Sequence, residues 1–589
     1  MSAQASPAET LRDAHALICC GDYASAAVLL FTIAPDHPAH PHALHLHGII
    51  HAMQGRTVEA SRLFEQAHQH LPDNEDLVAN LARAYAATQR FADALALLDR
   101  LISSGAASAA TYSDRGALLE RLGQPELALA SYTAALALDP QMSAAWSGKG
   151  NLLHEKQRYP EALRCHDKAV ETQPQNAQAW SNRASTLDKL GRMEEALIDN
   201  ERALALQPTN ALAWSGRGVS LVLLDRLEEG LASFDQALQI DPSNLRARIN
   251  RAAALAELCR YAESLQEFDL ALQRAPSPGK DHAHAQTFRG MLQLALGDAA
   301  GWSGYEYRLH ADEDQALRDA QAPRWTGAEA LAGRRILLWS EQGYGDTIQF
   351  CRYAASLVER GATVMLEVPA SLIRLCAQLP AHSVYAKGAT LPEHDFQIPM
   401  MSMLLALHQQ GRDVAIPYAT GYLHAPSVSA DKWKQQLPPR RHRQRIGIVC
   451  SGALRHPRNA RRSVPLAMLL PLVEIADLVI LQPDLNAEDT RALENSPDVF
   501  RPSIDTADFA DVAGLIANVD LVISVDTAIA HLAGAMAKPT WILLPWHAEW
   551  RWMTERGDTP WYASARLFRQ PARNDWDAVV QMVRLALSE

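Results

Sequence analysis

A spacing of 34 residues runs through the first half of this 589-residue chain and constrains its fold more than any other feature. Trp146, Trp180 and Trp214 mark the spacing, and small residues recur four positions after the tryptophan position and again twelve positions later. The first small position holds Ala14, Gly48, Ala82, Gly116, Gly150, Ala184, Gly218 and Ala252, and the second holds Ala26, Ala60, Ala94, Ala128, Ala162, Ala196, Gly230 and Ser264. A proline closes most units, because proline cannot continue a helix. We count eight units over residues 7–278.

This pattern resembles the tetratricopeptide repeat, in which each unit is a pair of helices. Small residues let the two helices approach closely, and the stacking of successive units buries a continuous core. The sequence therefore predicts an α-solenoid, a tetratricopeptide superhelix, over residues 1–290, with a capping helix and linker over 291–332. The resemblance implies an inner surface that binds peptides or protein segments.

Three asparagines share one position of the first repeat helix, two residues after the tryptophan position: Asn80, Asn182 and Asn250. We assign them to partner binding, because an amide can clamp a peptide backbone by donating and accepting at once. A solvated polar position is the alternative. The His-rich segment 37–51 raises the question of a metal site, but it contains no cysteine. Packed or solvent-facing histidines are the favoured interpretation there.

Composition narrows the function classes. A net charge of −12 argues against a nucleic-acid binder that depends on a basic surface. Seven cysteines without a Cys-x-x-Cys pair indicate neither a zinc ribbon nor a disulfide framework, so a reducing cytoplasm is the expected location. The N-terminus shows no basic segment before an apolar core, and we expect no signal peptide. Asp526, His531 and Lys538 interrupt the longest apolar stretch near the C-terminus, which argues against a membrane span.

From residue 335 the pattern changes to short apolar runs that alternate with helix-like stretches. Such alternation predicts parallel sheets with right-handed crossovers. A break rich in Pro and Arg at 437–444 divides this half into two α/β domains, 333–436 and 437–573, and an amphipathic helix follows at 574–589. Ligands of such sheets bind outside the carboxyl ends of the strands, so the cleft between the domains is the expected site.

The first polar strand-to-helix turn is EQGYGDTIQF. Its glycines, Gly343 and Gly345, let the backbone approach a ligand. Asp346 falls at or near the N-cap of the following helix, where capping alone would explain it. The motif lacks the third glycine of the dinucleotide fingerprint and the lysine of a P-loop.

The second polar turn is SVDTAIAHLAGA. Asp526 and Thr527 precede a helix whose first N–H groups favour an anion, and His531 lies one turn further along. Two interpretations stay open from the residues alone: a phosphate site, or a capped helix with a packed histidine.

A basic loop, SGALRHPRNARRS at 451–463, follows a strand of the second α/β domain and contains Arg455, Arg458, Arg461 and Arg462. Because a guanidinium fork matches phosphate oxygens, we favour phosphate contact over a solvated loop. No Asp-x-Asp doublet follows a strand in this half, which favours a metal-independent reaction in which protein groups neutralise the leaving phosphate. Four tryptophans could stack on a sugar or base, or could cover the sheet edge: Trp546, Trp550, Trp552 and Trp561.

Together, GYGDTIQF and SVDTAIAHLAGAMAKP resemble the two signatures of the heptosyltransferase-like glycosyltransferases. The resemblance implies a GT-B fold with two facing Rossmann-like domains, with Asp346 as the general base. It implies as well that the C-terminal helix crosses back to the first α/β domain, as it often does in GT-B enzymes. It also implies that Asp526, Thr527 and His531 bind a nucleotide diphosphate donor. Ser451 and Gly452 stand where the family usually has Ala-Gly. The expected donor-binding set is Gly343, Gly345, Ser451, Gly452, Arg455, Arg461, Arg462, Asp526, Thr527 and His531.

The C-terminal stretch WRWM…RGDTPWYASARLFRQ resembles bacterial proteins that fuse tetratricopeptide repeats to this kind of transferase. Some of these are flagellin glycosyltransferases that use CMP-activated nonulosonic acids. The resemblance implies an inverting, metal-independent protein O-glycosyltransferase that uses a CMP-linked or ADP-linked sugar and no cofactor. Flagellin or another bacterial protein is the expected acceptor. One alternative is a glycosyltransferase acting on lipopolysaccharide or another glycan, and a second is a repeat adaptor whose transferase half is inactive.

Overall fold

The computed structural model describes residues 6–105, 107–275, 277, 279–311, 318, 321–408, 416, 420–453, 459–504 and 507–589. The chain divides into two compact units, Met1–Leu224 and Asp225–Glu589. Within the described ranges, no helix combines the length and the apolar character needed to cross a bilayer. All seven cysteines are free thiols.

The first unit is built from helices that follow one another in pairs. They are α1 (Pro7–Cys19), α2 (Tyr23–Phe31), α3 (His40–Met53), α4 (Thr57–His70), α5 (Glu75–Ala87), α6 (Phe91–Ser103), α7 (Ala109–Arg121), α8 (Pro125–Leu138), α9 (Ser143–Glu155), α10 (Tyr159–Thr172), α11 (Ala177–Lys189), α12 (Met193–Leu206) and α13 (Ala211–Leu223). Asn74, Asn176 and Asn210 recur as N-cap residues and accept backbone N–H bonds in the first turn of the helix.

The small residues of the repeat lie where helices cross, as predicted. Ala26, Ala60, Ala94, Ala128, Ala162 and Ala196 are all fully buried. A Cβ on Gly48 would lie 2.4 Å from the ring of Phe64, so a larger residue would separate α3 from α4. The indole N–H of the repeat tryptophan donates to the proline carbonyl six residues earlier over 2.8–2.9 Å at Trp146–Pro140, Trp180–Pro174 and Trp214–Pro208. The same bond recurs in these three successive units and fixes the tryptophan ring against the preceding turn.

The second unit begins with the end of the repeat array. Its first helices are α14 (Leu227–Ile240), α15 (Leu245–Glu257), α16 (Tyr261–Arg274), α17 (Lys280–Ala295) and α18 (Gly301–Tyr305), and a 3-10 helix spans Glu306–Ala311. Helices α15 and α16 form the eighth predicted pair. Helix α17 packs against both of them and begins at Lys280, eleven residues before the segment 291–332 that was predicted to contain the capping helix.

The first α/β domain contains a four-stranded parallel sheet in the order β3-β2-β1-β4. Its strands are β1 (Arg335–Trp339), β2 (Thr363–Val368), β3 (Ser383–Ala386) and β4 (Phe396–Pro399). Its helices are α19 (Tyr344–Phe350), α20 (Tyr353–Val358), α21 (Ile373–Cys376) and α22 (Met403–His408), with 3-10 helices at Ala370–Leu372 and Met400–Ser402. Strand β1 is buried along Ile336–Trp339, as expected for parallel sheet.

The described part of the predicted linker is packed as part of this domain. The side chain of Trp325 is 1% exposed, and its backbone N–H donates to the carbonyl oxygen of Gln397 in β4 over 2.9 Å. Upstream, Trp302 meets Phe350 edge to face with ring centroids 6.5 Å apart. The buried Trp325 and the partly buried Trp302 therefore attach the described residues on either side of them to the first α/β domain.

The second α/β domain contains a five-stranded parallel sheet in the order β6-β5-β7-β8-β9. Its strands are β5 (Arg445–Val449), β6 (Asp477–Ile480), β7 (Leu521–Val525), β8 (Thr540–Leu544) and β9 (Ala565–Arg569). The remaining helices are α23 (Ser427–Gln436), α24 (Asn459–Arg462), α25 (Leu466–Leu469), α26 (Ala487–Glu494), α27 (Phe509–Ala517), α28 (Ala528–Ala535) and α29 (Trp576–Ser588). Two 3-10 helices span Leu470–Glu474 and Trp550–Trp552.

Two helices lie elsewhere than the sequence analysis places them. Helix α23, assigned to the first domain by the 333–436 boundary, packs on α27 of the second. The indole N–H of Trp433 donates to the carbonyl oxygen of Asp511 over 3.0 Å. The C-terminal helix α29 does not cross back to the first domain. Its buried face, Val579, Val580 and Val583, joins the apolar core beneath the second sheet.

Candidate functional site

Both sheets add strands on either side of their first strand. Strands β2 and β4 flank β1, and β6 and β7 flank β5. Ligands of parallel sheets bind at such switch points, outside the carboxyl ends of the strands. The turn after β1 carries Gly343–Asp346, the turn after β5 carries Ser451–Gly452, and the turn after β7 carries Asp526–Thr527. The residues expected from the sequence therefore follow the strands at which each sheet changes direction.

Asp346 lies in the first turn of α19 and has two partners. One carboxylate oxygen accepts a hydrogen bond from the backbone N–H of Gly343, the N-cap residue, over 2.9 Å. The other oxygen pairs with the guanidinium of Arg551, which belongs to the second α/β domain. A carboxylate offers about four lone-pair directions, and this side chain remains 21% exposed. Asp346 therefore caps its helix and still has room for a further hydrogen bond.

Gly345 allows the two domains to approach each other. A Cβ at this position would lie 2.9 Å from Cδ2 of His531 and 3.6 Å from Cα of Ala528. Any side chain would push α19 away from α28. The sequence analysis explained this glycine by the approach of a ligand, whereas the structure shows the approach of a helix from the other domain. The two polar turns therefore face each other across this contact.

The turn after β7 is held by its own hydroxyl groups. The side chain of Thr527 caps α28 by accepting from the N–H of Ala530 over 3.4 Å, and its hydroxyl lies 3.1 Å from that of Ser524. Asp526 precedes the cap, and its side chain is 17% exposed. Burial raises the pKa of Asp526 above its usual value, and the positive charge of Arg462 opposes this rise.

His531 connects this turn to an aromatic wall. Its Nδ1 lies 2.9 Å from the hydroxyl of Tyr562, and its ring stacks on Trp552 with centroids 5.2 Å apart. Its Nε2 lies 3.8 Å from a carboxylate oxygen of Asp526. Burial lowers the pKa of His531 well below its usual value, and the charge of Arg551 lowers it further. The ring is therefore neutral at neutral pH, packed on one edge and turned towards Asp526 on the other.

Arg551 is a site residue that the sequence analysis missed. Its guanidinium pairs with Asp346 and with Glu549, and its Nε donates to Oε1 of Gln349 over 2.7 Å. It also lies over the ring of Trp550, 4.3 Å from the centroid. The sequence signal that could have identified it is its place between two tryptophans in the WRWM stretch, which predicts a buried arginine. A buried arginine needs charged and hydrogen-bonding partners.

Arg551 and the carboxyl groups around it change one another's pKa values. Burial raises the pKa of Glu549 to about 7, against the opposing charge of Arg551. For Arg551, burial works to lower the pKa, but the charges of Glu549 and Asp346 outweigh it, so the pKa lies above its usual value. Arg551 therefore stays protonated and supplies a fixed positive charge beside Asp346.

The four tryptophans divide into two groups. Trp550, Trp552 and Trp561 are at most 4% exposed, and Trp561 meets Phe350 edge to face at 5.6 Å. These three are packed in the apolar core, so none of them presents an open ring face for a sugar or base. Trp546, which is 36% exposed, is the member of the set with an accessible face.

The basic loop is only partly within the described residues, since Arg455 and Arg458 lie outside them. Its described end is ordered by Asn459, whose amide oxygen accepts the N–H of Gly452 over 2.9 Å. Gln482 accepts the N–H of Ser451 over 3.2 Å on the other side. Arg462 packs directly on Gly452, where a Cβ would come within 2.4 Å of its guanidinium. Arg461 instead pairs with Asp225 and Glu257 of the repeats, so the structure does not bring it to the donor turn.

The repeat asparagines predicted to bind a partner are found in three settings. Nδ2 of Asn80 lies 2.9 Å from Nε2 of His45, and Asn182 accepts from the amide of Gln178 over 2.7 Å. Asn250 is half-buried in α15. Among the described residues, which include the His-rich segment, no group of three or more His, Cys, Asp or Glu side chains is arranged to hold a metal ion.

Known protein families match both halves of the chain. Tetratricopeptide repeat profiles match residues 51–113, 113–164, 177–210, 201–244 and 216–278. The profile of glycosyltransferase family 9 (heptosyltransferase) matches residues 505–574. That segment contains Asp526, Thr527, His531 and Arg551. The chain thus combines tetratricopeptide repeats with a glycosyltransferase family 9 domain.

Similar individual proteins cover parts of the chain. Protein FlbA of Caulobacter vibrioides (strain ATCC 19089 / CIP 103742 / CB 15) is 29% identical over 346 residues, which cover 53% of this chain and 56% of FlbA. The chain therefore matches a little over half the length of this curated relative. A tetratricopeptide repeat protein from Parabacteroides merdae ATCC 43184 is 17% identical, over 42% of this chain and 97% of that chain, with a TM-score of 0.35. YrrB, described as a repeat protein with an unusual peptide-binding site, is 27% identical over 32% of this chain and 95% of that chain, with a TM-score of 0.26.

Proposed function

We propose that this chain is an inverting, metal-independent glycosyltransferase of the GT-B type, with its site between the two α/β domains. One observation carries the proposal: Asp346 and the Asp526–Thr527 turn face each other where α19 meets α28. The match of residues 505–574 to glycosyltransferase family 9 supports the class of reaction. Asp346 would act on the acceptor, and the turn after β7 would hold the donor.

Asp346 is the proposed general base. The guanidinium of Arg551 and the N–H of Gly343 hold its two carboxylate oxygens in place, and the side chain remains 21% exposed. In the proposed step, Asp346 takes the proton of an acceptor hydroxyl while that oxygen bonds to the anomeric carbon of the donor. The bond from the anomeric carbon to the phosphate oxygen breaks, and the nucleotide leaves with its electron pair. Attack on the face opposite the leaving group inverts the anomeric centre.

The leaving phosphate needs positive charge, and two features of the second domain offer it. The N-terminus of α28 presents backbone N–H groups directly after Asp526 and Thr527. Arg462 places a guanidinium on Gly452, at the end of β5. Fixed dipoles and charges of this kind stabilise developing negative charge without reorganising. The proposed donor is a nucleotide-linked sugar, CMP-linked or ADP-linked, with a nonulosonic acid as one candidate sugar.

The repeats suggest that the acceptor is a protein. Stacked helix pairs present an extended surface for protein segments, and Asn80, Asn182 and Asn250 are the proposed backbone contacts. We propose transfer to Ser or Thr of a recruited protein in the cytoplasm, with flagellin as the first acceptor to test. The heptosyltransferase description of the matching family favours a second candidate, transfer to lipopolysaccharide or another glycan.

The test uses the full-length chain with CMP-, ADP- and UDP-linked sugars and purified flagellin. Nucleotide release and the intact mass of flagellin are measured together, with Asp346→Asn as the matched control. The proposal expects nucleotide release from one donor class, and a flagellin mass increased by whole sugar residues only with the wild-type chain.

Every alternative outcome of this test contradicts a defined part of the proposal. Sugar transfer to lipopolysaccharide with an unchanged flagellin mass contradicts the protein acceptor and supports the second candidate. Absence of nucleotide release with every donor and both acceptors contradicts the enzymatic proposal and favours an adaptor whose transferase half is inactive.

A further inference from the structure

Two neighbouring arginines of α24 have different partners. The guanidinium of Arg461 pairs with Glu257, and its Nε lies 3.4 Å from a carboxylate oxygen of Asp225. The side chains of Arg461 and Glu257 are 24% and 9% exposed. Glu257 ends α15, and Asp225 lies in the turn before α14. Arg461 therefore attaches the basic loop of the second α/β domain to the last two repeats.

Arg462, one position later, belongs to the candidate donor site. Its guanidinium packs on the backbone of Gly452, and its charge acts on Asp526 and His531. Its Nε is buried without a hydrogen-bond partner among the described residues. A buried donor left unpaired costs free energy, so a ligand acceptor at this position would complete the arrangement.

The contact between the last repeats and this domain extends beyond Arg461. Arg573, in the turn between β9 and α29, also pairs with Asp225, over 2.9 Å. The ring of Tyr261, at the start of α16, lies 6.3 Å from that of His547, which follows β8. The turns of the last two repeats therefore contact the second α/β domain at several residues.

We propose that Arg461 is a positioning residue for the donor site, through which the turns of the last two repeats hold Arg462 in place. The proposal rests on the proposed function, because it assumes that Arg462 faces the donor phosphate. Helix α24 is one turn long, and an isolated turn of helix is unstable because nucleation is unfavourable. The partly buried ion pair with Glu257 supplies an anchor from outside the turn. Without it, Arg462 would occupy its site-facing orientation only part of the time.

The expected effect follows from the fraction of chains in which the site is assembled. If loss of the anchor leaves Arg462 in place about a tenth of the time, the apparent affinity for nucleotide falls about tenfold. Turnover at saturating donor changes less, because donor binding favours the orientation of Arg462 that contacts the donor. A residue that only stabilised the fold would lower the melting temperature and leave the affinity of the folded chain unchanged.

The experiment titrates full-length variants with CMP, ADP and UDP by calorimetry and measures KM and kcat with the matching donor. Arg461→Ala is expected to weaken nucleotide binding about tenfold, mainly through KM. Glu257→Gln removes the same anchor from the repeat side. If Arg461 acts through Glu257, the double variant loses no more affinity than either single variant. Arg573→Ala is the matched control, because it shares Asp225 with Arg461 but is distant in sequence from α24, and its nucleotide affinity is expected to equal that of the wild type.

The outcomes separate this inference from the function on which it rests. The inference alone is contradicted if the wild-type chain binds nucleotide and Arg462→Ala weakens that binding, but neither Arg461→Ala nor Glu257→Gln changes it. Equal weakening by Arg573→Ala also contradicts it, since a general loosening of the repeat contact would then be sufficient. A folded wild-type chain that binds none of the three nucleotides contradicts the proposed function and this inference together.

Discussion

The repeats and the α/β region hold their charges in different ways. A typical repeat pair, Arg192–Glu195, joins residues three positions apart, with side chains 46% and 53% exposed. In the α/β region, Arg551 pairs with Asp346 across 205 sequence positions, with side chains 8% and 21% exposed. Exposed pairs contribute little to stability, whereas removing one partner of a buried pair leaves an uncompensated charge. The repeats therefore depend on local packing, and the candidate site depends on contacts between distant segments.

The strongest test of this difference removes Arg551. In Arg551→Ala, Asp346 and Glu549 lose their shared buried cation, and we expect the free energy of unfolding to fall by about 3–5 kcal/mol. Guanidinium unfolding followed by tryptophan fluorescence reports this region, because Trp550 and Trp552 are buried beside it. A loss below about 1 kcal/mol, the usual range of an exposed pair, would show that the site does not depend on this contact.

A smaller effect is expected from overpacking one repeat. Ala26 is fully buried where α2 meets its neighbours, and we expect Ala26→Leu to cost about 1–3 kcal/mol. Ala24→Leu on the same helix is the matched control, because Ala24 is exposed and surface substitutions usually change stability by less than about 0.5 kcal/mol. Thermal unfolding followed by circular dichroism measures both. Equal effects of the two variants would contradict the assigned contact.

The pH dependence of stability tests the buried carboxyl group at the site. Burial raises the pKa of Glu549 from 4.5 to about 7, so between these values the folded chain keeps a proton that the unfolded chain releases. Stability from this group is complete below the lower value and is lost as pH rises through the upper one, at up to about 1.4 kcal/mol per pH unit for one proton.

Glu549→Gln should therefore flatten the dependence of unfolding free energy on pH across that window. Denaturant unfolding at several pH values measures the slope. Glu195→Gln is the control, because the pKa of that exposed carboxyl is lowered by its hydrogen bond with Arg192 and lies outside the window. A slope that is the same in Glu549→Gln and the wild type would contradict the raised pKa.

The smallest effect on the free energy of unfolding is expected from an exposed ion pair of the repeats. Arg192→Ala removes an exposed ion pair three positions apart at the start of a repeat helix, and we expect a far smaller loss of stability than from Arg551→Ala. The same unfolding experiment as for Arg551→Ala measures it. A loss comparable to that of Arg551→Ala would mean that exposed repeat pairs also carry stability, and the comparison between the two regions would fail.

Much of the repeat architecture could be predicted from the sequence because its determinants are close together in the chain. The alanine at the second small position contacts a neighbouring helix, and Trp146 binds a proline six residues away. Periodicity records such contacts directly. The alternation of strands and helices similarly predicted two parallel sheets and the turns that carry Asp346 and Asp526.

The site residues that the sequence analysis missed or misassigned depend on contacts between distant parts of the chain, which no local sequence pattern shows. Arg551 reaches Asp346 only because the two α/β domains meet, and Gly345 is required by a helix that begins at Ala528. Arg461 looked like a phosphate ligand because it follows a strand among other arginines, but its partner Glu257 lies 204 positions earlier. Tertiary packing decides which partner a charged side chain contacts, so residue spacing alone could not identify the partner of Arg461.

The central claim is that Asp346 performs the chemistry beside a donor held by the turn after β7. The most direct measurement compares donor turnover and nucleotide affinity of Asp346→Asn with those of the wild type. The asparagine keeps an oxygen for Arg551 and removes the base. The account predicts turnover reduced by about 10²–10⁴-fold with nucleotide affinity unchanged, and a melting temperature lowered because the charge pair with Arg551 is lost. Turnover equal to that of the wild type would contradict it.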